Sequence, residues 1–191
     1  MEALKQRIRQ EGKILPGSIV KVDSFLNHQV DSRFLGELAE EFSRRFDTSR
    51  VTKILTAEAS GIPLAVVCSY CYGIPMVFAK KAKSDNIEGG LYRSEVFSYT
   101  YKKKVTLICS QDRITPDDRV LIVDDFMANG EALRGLIDIV NQSGAELVGI
   151  GVAVEKGFQH GGDKLREEGY PLQSLAIIES ADENGFVFRG E

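Results

Sequence analysis

Short apolar segments alternate with amphipathic ones along this chain. Helical spacing fills most of the intervals between the apolar runs. Strands that are apolar on both faces are typical of a parallel sheet with helices covering each side. The alternation therefore predicts an α/β fold with a mainly parallel sheet flanked by helices. The predicted strands lie at 18–25, 52–58, 75–80, 119–125, 145–156 and 171–180.

The intervals between these strands carry helix signals. Segment 31–46 places its apolar residues on one stripe, and Asp31 before it is a suitable N-cap. The helix predicted at 61–72 ends at Gly73, and the next long helix ends at Gly144. The stripe in 31–46 consists of Phe34, Leu35, Leu38, Phe42 and Phe46. An exposed apolar helix face of this kind would permit pairing of two chains.

The strand at 145–154 has two unequal faces. Its valines and its isoleucine point one way, whereas Gly149, Gly151 and Ala153 point the other way. The nearly bare face would let another element or a ligand come close. A short helix is expected near 163–169 and an amphipathic one at the N-terminus.

The segment 81–110 departs from the alternation. It opens with a polar stretch containing glycine and continues with two alternating runs on either side of the sequence YKKK. This pattern predicts a mobile loop that leads into a β-ribbon. A long polar loop within a compact domain is commonly a lid or a binding loop.

Composition excludes several classes of protein. The length of 191 residues predicts a single domain over 1–191, and the net charge of -4 argues against nucleic-acid binding. No apolar run has the length of a membrane span and the N-terminus lacks a signal core, so we expect no membrane contact and a cytoplasmic location. Cys68 and Cys71 form a C-x-x-C motif but are expected to be core residues, and His28 and His160 loop or surface residues.

The stretch VLIVDDFMANGEA, residues 120–132, carries the strongest functional signal. Two adjacent carboxylates, Asp124 and Asp125, end a buried strand, and a short loop leads directly into a helix. The backbone N–H groups at a helix N-terminus bind anions, whereas carboxylates bind hydroxyl groups or a cation. A ribose 5-phosphate has both kinds of group. The two common nucleotide-binding motifs are absent from the sequence: it has no G-x-x-x-x-G-K-[ST], and no predicted strand is followed by G-x-G-x-x-G. A nucleotide-binding alternative therefore lacks support.

This stretch resembles the phosphoribosyl-diphosphate-binding motif of type I phosphoribosyltransferases. The likeness covers nearly the whole chain, including 1–5, 21–31, 77–84 and 154–159, and the N-terminal part is similar to the bacterial xanthine branch. The resemblance implies the type I phosphoribosyltransferase fold with a flexible β-ribbon loop. It also implies a small N-terminal hood, to which residues 1–30 contribute.

The resemblance implies a reaction in purine salvage. The 5-phosphoribosyl group of phosphoribosyl diphosphate would be transferred to xanthine, giving XMP and pyrophosphate, with Mg²⁺ held through the substrate and no direct metal ligand. The family is usually a homodimer. Asp124 and Asp125 would be catalytic and bind the ribose hydroxyls. The 5-phosphate would be held by Ala128, Asn129, Gly130, Glu131 and Ala132.

The loop departs from the pattern of many relatives, which have Thr-Thr-Gly-x-Thr. Without those hydroxyl donors, backbone N–H groups and the amide of Asn129 must carry the phosphate. The hypoxanthine-guanine branch places a carboxylate where Ala128 stands, often assigned as the base that deprotonates the purine. Xanthine is an acidic purine and needs less help to lose a proton, so Ala128 favours the xanthine branch.

Other residues are assigned by the same resemblance. Ala59 and Ser60, in EASGIP at 58–63, would form the pyrophosphate loop, although a plain helix start explains them equally well. Lys80 and Lys81, with Lys83 after them, would neutralise pyrophosphate or form a solvated face.

The purine would lie between the hood and another strand end. Val20 and Asn27 of the hood would contact it, and Lys156 would donate to the purine O6. The residues alone leave simpler alternatives open: Asn27 is a common turn residue, and Lys156 could be a surface lysine. Phe158 could stack on the purine or pack in the core.

Two other functions remain open. Guanine or hypoxanthine could be the substrate on the same scaffold. Alternatively, the chain could be a non-catalytic purine regulator that senses phosphoribosyl diphosphate. Such regulators carry an additional DNA-binding domain, for which we expect no room before the hood, and the acidic net charge disfavours DNA.

Overall fold

A central eight-stranded sheet organises the chain in the computed structural model, which describes residues 1–17, 19–82, 90–98 and 103–191. The strand order is β10-β9-β8-β7-β3-β4-β6-β5, and a separate two-stranded sheet is formed by β1 and β2. The strands are β1 Lys13–Leu15, β2 Ile19–Lys21, β3 Lys53–Ala57, β4 Met76–Ala82, β5 Leu91–Ser98, β6 Lys103–Ser110, β7 Arg119–Met127, β8 Glu146–Lys156, β9 Leu172–Asp182 and β10 Gly185–Phe188.

Among the described residues, five α-helices cover the sheet. They are α1 Glu2–Glu11, α2 Ser32–Arg45, α3 Ile62–Tyr72, α4 Glu131–Ser143 and α5 Gly161–Glu167. β4, β3, β7, β8 and β9 are parallel neighbours, as the alternation predicts, and antiparallel pairs add β6 with β5 at one edge and β10 at the other. The predicted mainly parallel α/β architecture is therefore confirmed.

The helix ends follow the sequence signals. The side chain of Asp31 accepts a hydrogen bond from the backbone N–H of Phe34, which caps α2. Gly73 and Gly144 adopt left-handed conformations after α3 and α4, with φ of 66° and 74°. The N-terminal helix α1 buries Leu4 and Ile8.

The bare face of β8 is covered by a helix. A Cβ atom on Gly151 would lie 2.8 Å from the ring of Phe42, and one on Gly149 would meet the ring of Phe46. Glycine is therefore needed for α2 to approach the sheet. The stripe of α2 is buried, with Leu35, Leu38 and Phe42 fully covered, so the expectation that this face could pair two chains is wrong.

Several predicted boundaries are corrected. The strand predicted at 18–25 is short, because β2 ends at Lys21 and residues Asp23–Asn27 form a π-helical turn. The ribbon of β5 and β6 is present and antiparallel. The predicted mobile loop, with Lys83, falls largely on 83–89, outside the residues that the structure describes.

The two cysteines of the C-x-x-C motif differ in exposure. Cys68 is buried as predicted, whereas Cys71 is exposed, which corrects the expectation that both lie in the core. Burial raises the pKa of Cys68 to about 12 and that of Cys109 to about 11. His28 and His160 are exposed. Within the described part of the chain, no helix is long and apolar enough to cross a membrane.

Candidate active site

A cavity of about 240 Å³ lies at the carboxyl ends of β3 and β7, where α4 begins. This is the edge of a parallel sheet at which α/β proteins bind ligands. One wall comes from the β5–β6 ribbon and the other from the loop between β7 and α4. The polar lining residues are Glu58, Ser60, Lys81, Asp124, Asn129 and Glu131.

Asp124 places a buried carboxylate in this cavity. Only 6% of the residue is exposed. Burial raises the pKa of Asp124 well above its usual range, and the adjacent charge of Asp125 raises it further, whereas Lys81 opposes the shift. A Cβ atom on Gly61 would lie 2.5 Å from Asp124 Oδ1, so the start of α3 must be glycine for this carboxylate to fit.

Asp125 joins two parts of the chain that are distant in sequence. Asn27 Nδ2 donates to its Oδ2 at 3.0 Å, and Ser60 Oγ donates to its Oδ1 at 2.9 Å. The carboxylate is 1% exposed, so these two donors satisfy an acceptor that water hardly reaches. The hood and the segment before α3 are thereby tied to the end of β7.

The loop between β7 and α4 surrounds one end of the cavity. Residues 128–132 all line it. Gly130 adopts φ of 84° and directly precedes α4, a conformation that glycine adopts without steric cost. The first N–H groups of a helix have no partner within the helix, and they carry partial positive charge. The arrangement therefore suits an anion, as the sequence predicts.

Lys156 lies at the end of β8 between two aromatic rings. Its Nζ is 5.3 Å from the centre of the Phe126 ring and 5.9 Å from that of Phe158. Burial lowers the pKa of Lys156. Lys156 does not line the cavity itself, but its ammonium group lies beside Phe126, which does.

The structure brings some predicted residues into the cavity and leaves others outside. Ser60, Lys81 and Asp124 line it. Predicted residues that do not line it include Ala59, Lys80, Asn27, Asp125 and Lys156. Lys80 and Lys81 lie within β4 and not after it, which corrects the predicted strand end. Alternate residues of a strand face opposite sides, and Lys80 packs 5.9 Å from the ring of Phe78.

Val20 is in the hood but not at the cavity. It lies in β2 and is 8% exposed, packed within the core cluster on the α2 side. Asn27, the other hood residue, ends the π-helical turn and reaches the site through Asp125.

Sequence reasoning did not assign several of the residues that line the cavity, among them Glu58 and Phe126. Glu58 lines it, and its Oε1 accepts a hydrogen bond of 2.6 Å from the backbone N–H of Lys81. Phe126 supplies an apolar wall. Both follow strand residues that the sequence does identify, so their position at strand ends was the available signal.

The described residues contain no group of three or more His, Cys, Asp or Glu side chains that could hold a metal ion. Mg²⁺ rarely needs such a cage, since it is commonly bound by one or two carboxylates together with substrate phosphates. The oxygen donors that line the cavity are of the type that Mg²⁺ prefers.

Comparison with known proteins identifies the family. The model of the phosphoribosyl transferase domain matches residues 21–189. The chain belongs to the phosphoribosyltransferase family. The xanthine phosphoribosyltransferase of Lachnoclostridium phytofermentans is 51% identical over 193 residues, and the alignment covers 100% of this chain and 100% of the relative. That of Laribacter hongkongensis is 49% identical, covering 98% of this chain and 100% of the relative.

Solved phosphoribosyltransferases share the fold. The adenine phosphoribosyltransferase of Trypanosoma brucei, in complex with AMP, pyrophosphate and ribose-5-phosphate, has a TM-score of 0.75 at 20% identity, covering 95% of this chain and 83% of that one. The Giardia lamblia enzyme, complexed with 9-deazaadenine, has a TM-score of 0.75 at 21% identity. The match covers 91% of this chain and 96% of that one. These similarities confirm the predicted type I phosphoribosyltransferase fold.

The buried charge of Asp124 predicts a pH-dependent stability. A raised pKa means that the folded chain holds the proton more tightly than the unfolded chain, so ionisation destabilises the fold as pH rises through that pKa. We expect Asp124→Asn to raise the urea midpoint near neutral pH, with a gain that shrinks as the pH approaches the ordinary carboxyl value of 3.8.

Asp118→Asn is the matched control for this substitution. Burial acts to raise the pKa of Asp118, but hydrogen bonds from Thr115 and Thr52 outweigh it and the pKa is lowered. Its ionised form therefore stabilises the fold, and removal of the charge should lower the midpoint near neutral pH. A lower midpoint for Asp124→Asn across the whole pH range would contradict the penalty assigned to its charge.

Proposed function

We propose that this chain transfers the 5-phosphoribosyl group of phosphoribosyl diphosphate to xanthine, giving XMP and pyrophosphate in purine salvage. One observation carries the proposal: a buried carboxylate and a helix-starting loop of backbone N–H groups face the same cavity. The full-length relatives at about half identity carry the name of this activity. Phosphoribosyl diphosphate offers hydroxyl groups to the first and a phosphate to the second.

The two carboxylates act on the ribose. As pyrophosphate leaves, positive charge develops on the ribose ring, and a negative group fixed nearby stabilises it. Asp124 lies in the cavity and accepts from ribose hydroxyls. Asp125 does not line the cavity itself: it accepts from Asn27 and Ser60 and lies next to Asp124 in the chain, so its charge acts close to the ribose site.

The 5-phosphate and the pyrophosphate of phosphoribosyl diphosphate are held at the two ends of the cavity. The 5-phosphate binds the N–H groups of Ala128, Asn129, Gly130, Glu131 and Ala132. Pyrophosphate binds near Ala59, Ser60 and Lys81, with Lys80 adding charge from the same strand. Mg²⁺ enters as a complex with phosphoribosyl diphosphate and, when bound, offsets the charge of the departing pyrophosphate.

The base is selected by the hood and by Lys156. Asn27 retains an acceptor oxygen and one amide hydrogen after donating to Asp125, which suits the C2 carbonyl of xanthine and the neighbouring N–H. Val20 contributes an apolar contact. The burial that lowers the pKa of Lys156 makes its ammonium form costly, and a purine that carries negative charge restores that form. An acidic purine such as xanthine fits this requirement.

The same proposal includes a cytoplasmic homodimer that contacts neither membrane nor nucleic acid. Val66 and Tyr70, one turn apart on α3, are 48% and 88% exposed. Large apolar side chains on one helix face are typical of a surface that another chain covers. The free thiols of Cys68 and Cys109 suit a reducing compartment.

An assay with radiolabelled bases tests the function. Xanthine, guanine, hypoxanthine and adenine are each supplied with phosphoribosyl diphosphate and Mg²⁺, and nucleotide formation is measured. We expect XMP to form with the highest kcat/KM, because a purine that ionises readily needs no base at Ala128. No product from any base would refute the enzyme, and a strong preference for guanine would refute the substrate.

Two substitutions separate ribose chemistry from base recognition. Asp125→Asn should lower kcat/KM for every base by about 10²–10³-fold, since a charge near the developing cation is lost. Lys156→Ala should lower kcat/KM for xanthine by about 10–100-fold, the value of a hydrogen bond to a charged group, and reduce discrimination among bases. Near-full activity of Asp125→Asn would rule out its assigned role.

The dimer is tested by sedimentation velocity. Tyr70→Glu places a charge on the apolar face of α3 and should convert a dimer into a monomer. Val187→Glu is the control, because Val187 is 50% exposed on β10 and lies outside the proposed surface. Equal sedimentation of Tyr70→Glu and the unchanged chain would contradict the assignment of this surface.

A further inference from the structure

An ion pair between a buried carboxylate and a partly exposed arginine lies behind the phosphate loop and has no role in the proposed reaction. Glu155, at the end of β8, is 0% exposed. Arg166 of α5 donates to both of its oxygens, at 3.0 Å and 2.6 Å, and the hydroxyl of Ser174 donates to one of them. Desolvation offsets much of the attraction in such a pair, so its presence is weak evidence for a stabilising role, although removal of one partner alone leaves a buried charge unpaired. The position of this pair therefore suggests another role.

The start of α5 is pressed between this ion pair and the phosphate loop. A Cβ atom on Gly161 would lie 2.5 Å from the backbone carbon of Asn129 and 2.6 Å from the carbonyl oxygen of Ala128. A Cβ atom on Gly162 would lie 2.5 Å from the carboxyl carbon of Glu155. Two consecutive glycines let the helix touch the loop on one side and the carboxylate on the other.

The composition of the loop explains why such support matters. Threonine hydroxyls, which could rotate toward a phosphate, are absent from 128–132. Backbone N–H groups cannot rotate individually, so their aim depends on the position of the whole loop. A support that fixes the loop preorganises the anion site.

We propose that Glu155 and Arg166 are positioning residues for the 5-phosphate loop. The ion pair fixes α5 against β8, and Gly161–Gly162 transmit that position to Ala128 and Asn129. This inference rests on the proposed binding of the 5-phosphate by the loop. It adds the residues that give the loop its geometry, and it predicts that their loss weakens phosphate binding more than base binding.

Two substitutions with opposite charge changes test the proposal in the full-length chain. Arg166→Met and Glu155→Gln should each raise the KM for phosphoribosyl diphosphate roughly ten- to a hundredfold, because the loop is misplaced, while the KM for xanthine changes less than about twofold. If only the net charge near the phosphate mattered, the two substitutions would change the KM for phosphoribosyl diphosphate in opposite directions, since Arg166→Met removes a positive charge and Glu155→Gln a negative one. Opposite signs would therefore overturn the proposal, as would equal changes in both KM values.

The controls separate positioning from stability and from turnover. Arg134→Met removes another two-bonded Arg–Glu pair, from Arg134 to Glu168 at 2.8 Å and 2.7 Å, at the far end of α5. It should leave both KM values unchanged, and a rise matching that of Arg166→Met would overturn the proposal. Gly161→Ala keeps the ion pair but displaces the loop, so it should reproduce the selective effect even where Arg166→Met fails to fold.

Calorimetric titration with ribose 5-phosphate makes the test independent of turnover. Its dissociation constant should rise in Arg166→Met, Glu155→Gln and Gly161→Ala by the same factor as the KM for phosphoribosyl diphosphate. Unchanged affinity in all three would overturn the positioning role. If the unaltered chain binds ribose 5-phosphate but makes no nucleotide, the proposed reaction fails while the comparison of affinities still decides the role of the pair.

Discussion

The site depends on the hydrogen bonds that the carboxylate of Asp125 accepts. This carboxylate is almost fully buried, and a buried acceptor requires donors. One donor comes from Asn27 in the hood and the other from Ser60 before α3. Three segments far apart in sequence therefore meet at one side chain. The hood has little sheet structure of its own, since β1 and β2 are three residues each, so this bond and its packed core residues orient it.

The neighbouring carboxylate, that of Asp124, lowers the stability of the folded chain. Asp124 and Asp125 are adjacent and buried, and burial together with like charge raises the pKa of Asp124. A chain selected for stability alone would place an apolar residue there, as it does in the four preceding positions of β7. Gly61 adds a second constraint, because only glycine leaves space for this carboxylate at the start of α3. Such local costs are typical of functional sites.

The sequence predicts most of the fold because the fold depends on local patterns. Apolar runs locate the parallel strands, and Asp31, Gly73 and Gly144 locate helix ends. The turn at Asp23–Asn27 could not be predicted, because tertiary packing of the hood overrides the strand propensity of the segment. Contacts between distant segments could not be predicted either, because they also depend on tertiary packing. The position of Asn27 against Asp125, and the extension of β4 through Lys81, depend on neighbours that no local pattern encodes.

The loop at 128–132 shows how a missing side chain changes what the rest of the fold must do. Where hydroxyl groups bind a phosphate, each can adjust its own direction. In the proposed site the binding groups are backbone amides, whose direction is fixed by the backbone on both sides. On one side Gly130 sets the turn into α4, and on the other Gly161 contacts the loop directly. The accuracy of the proposed anion site then depends on how firmly β8 and α5 are held together, and the pair of Arg166 with the buried Glu155 lies at that junction.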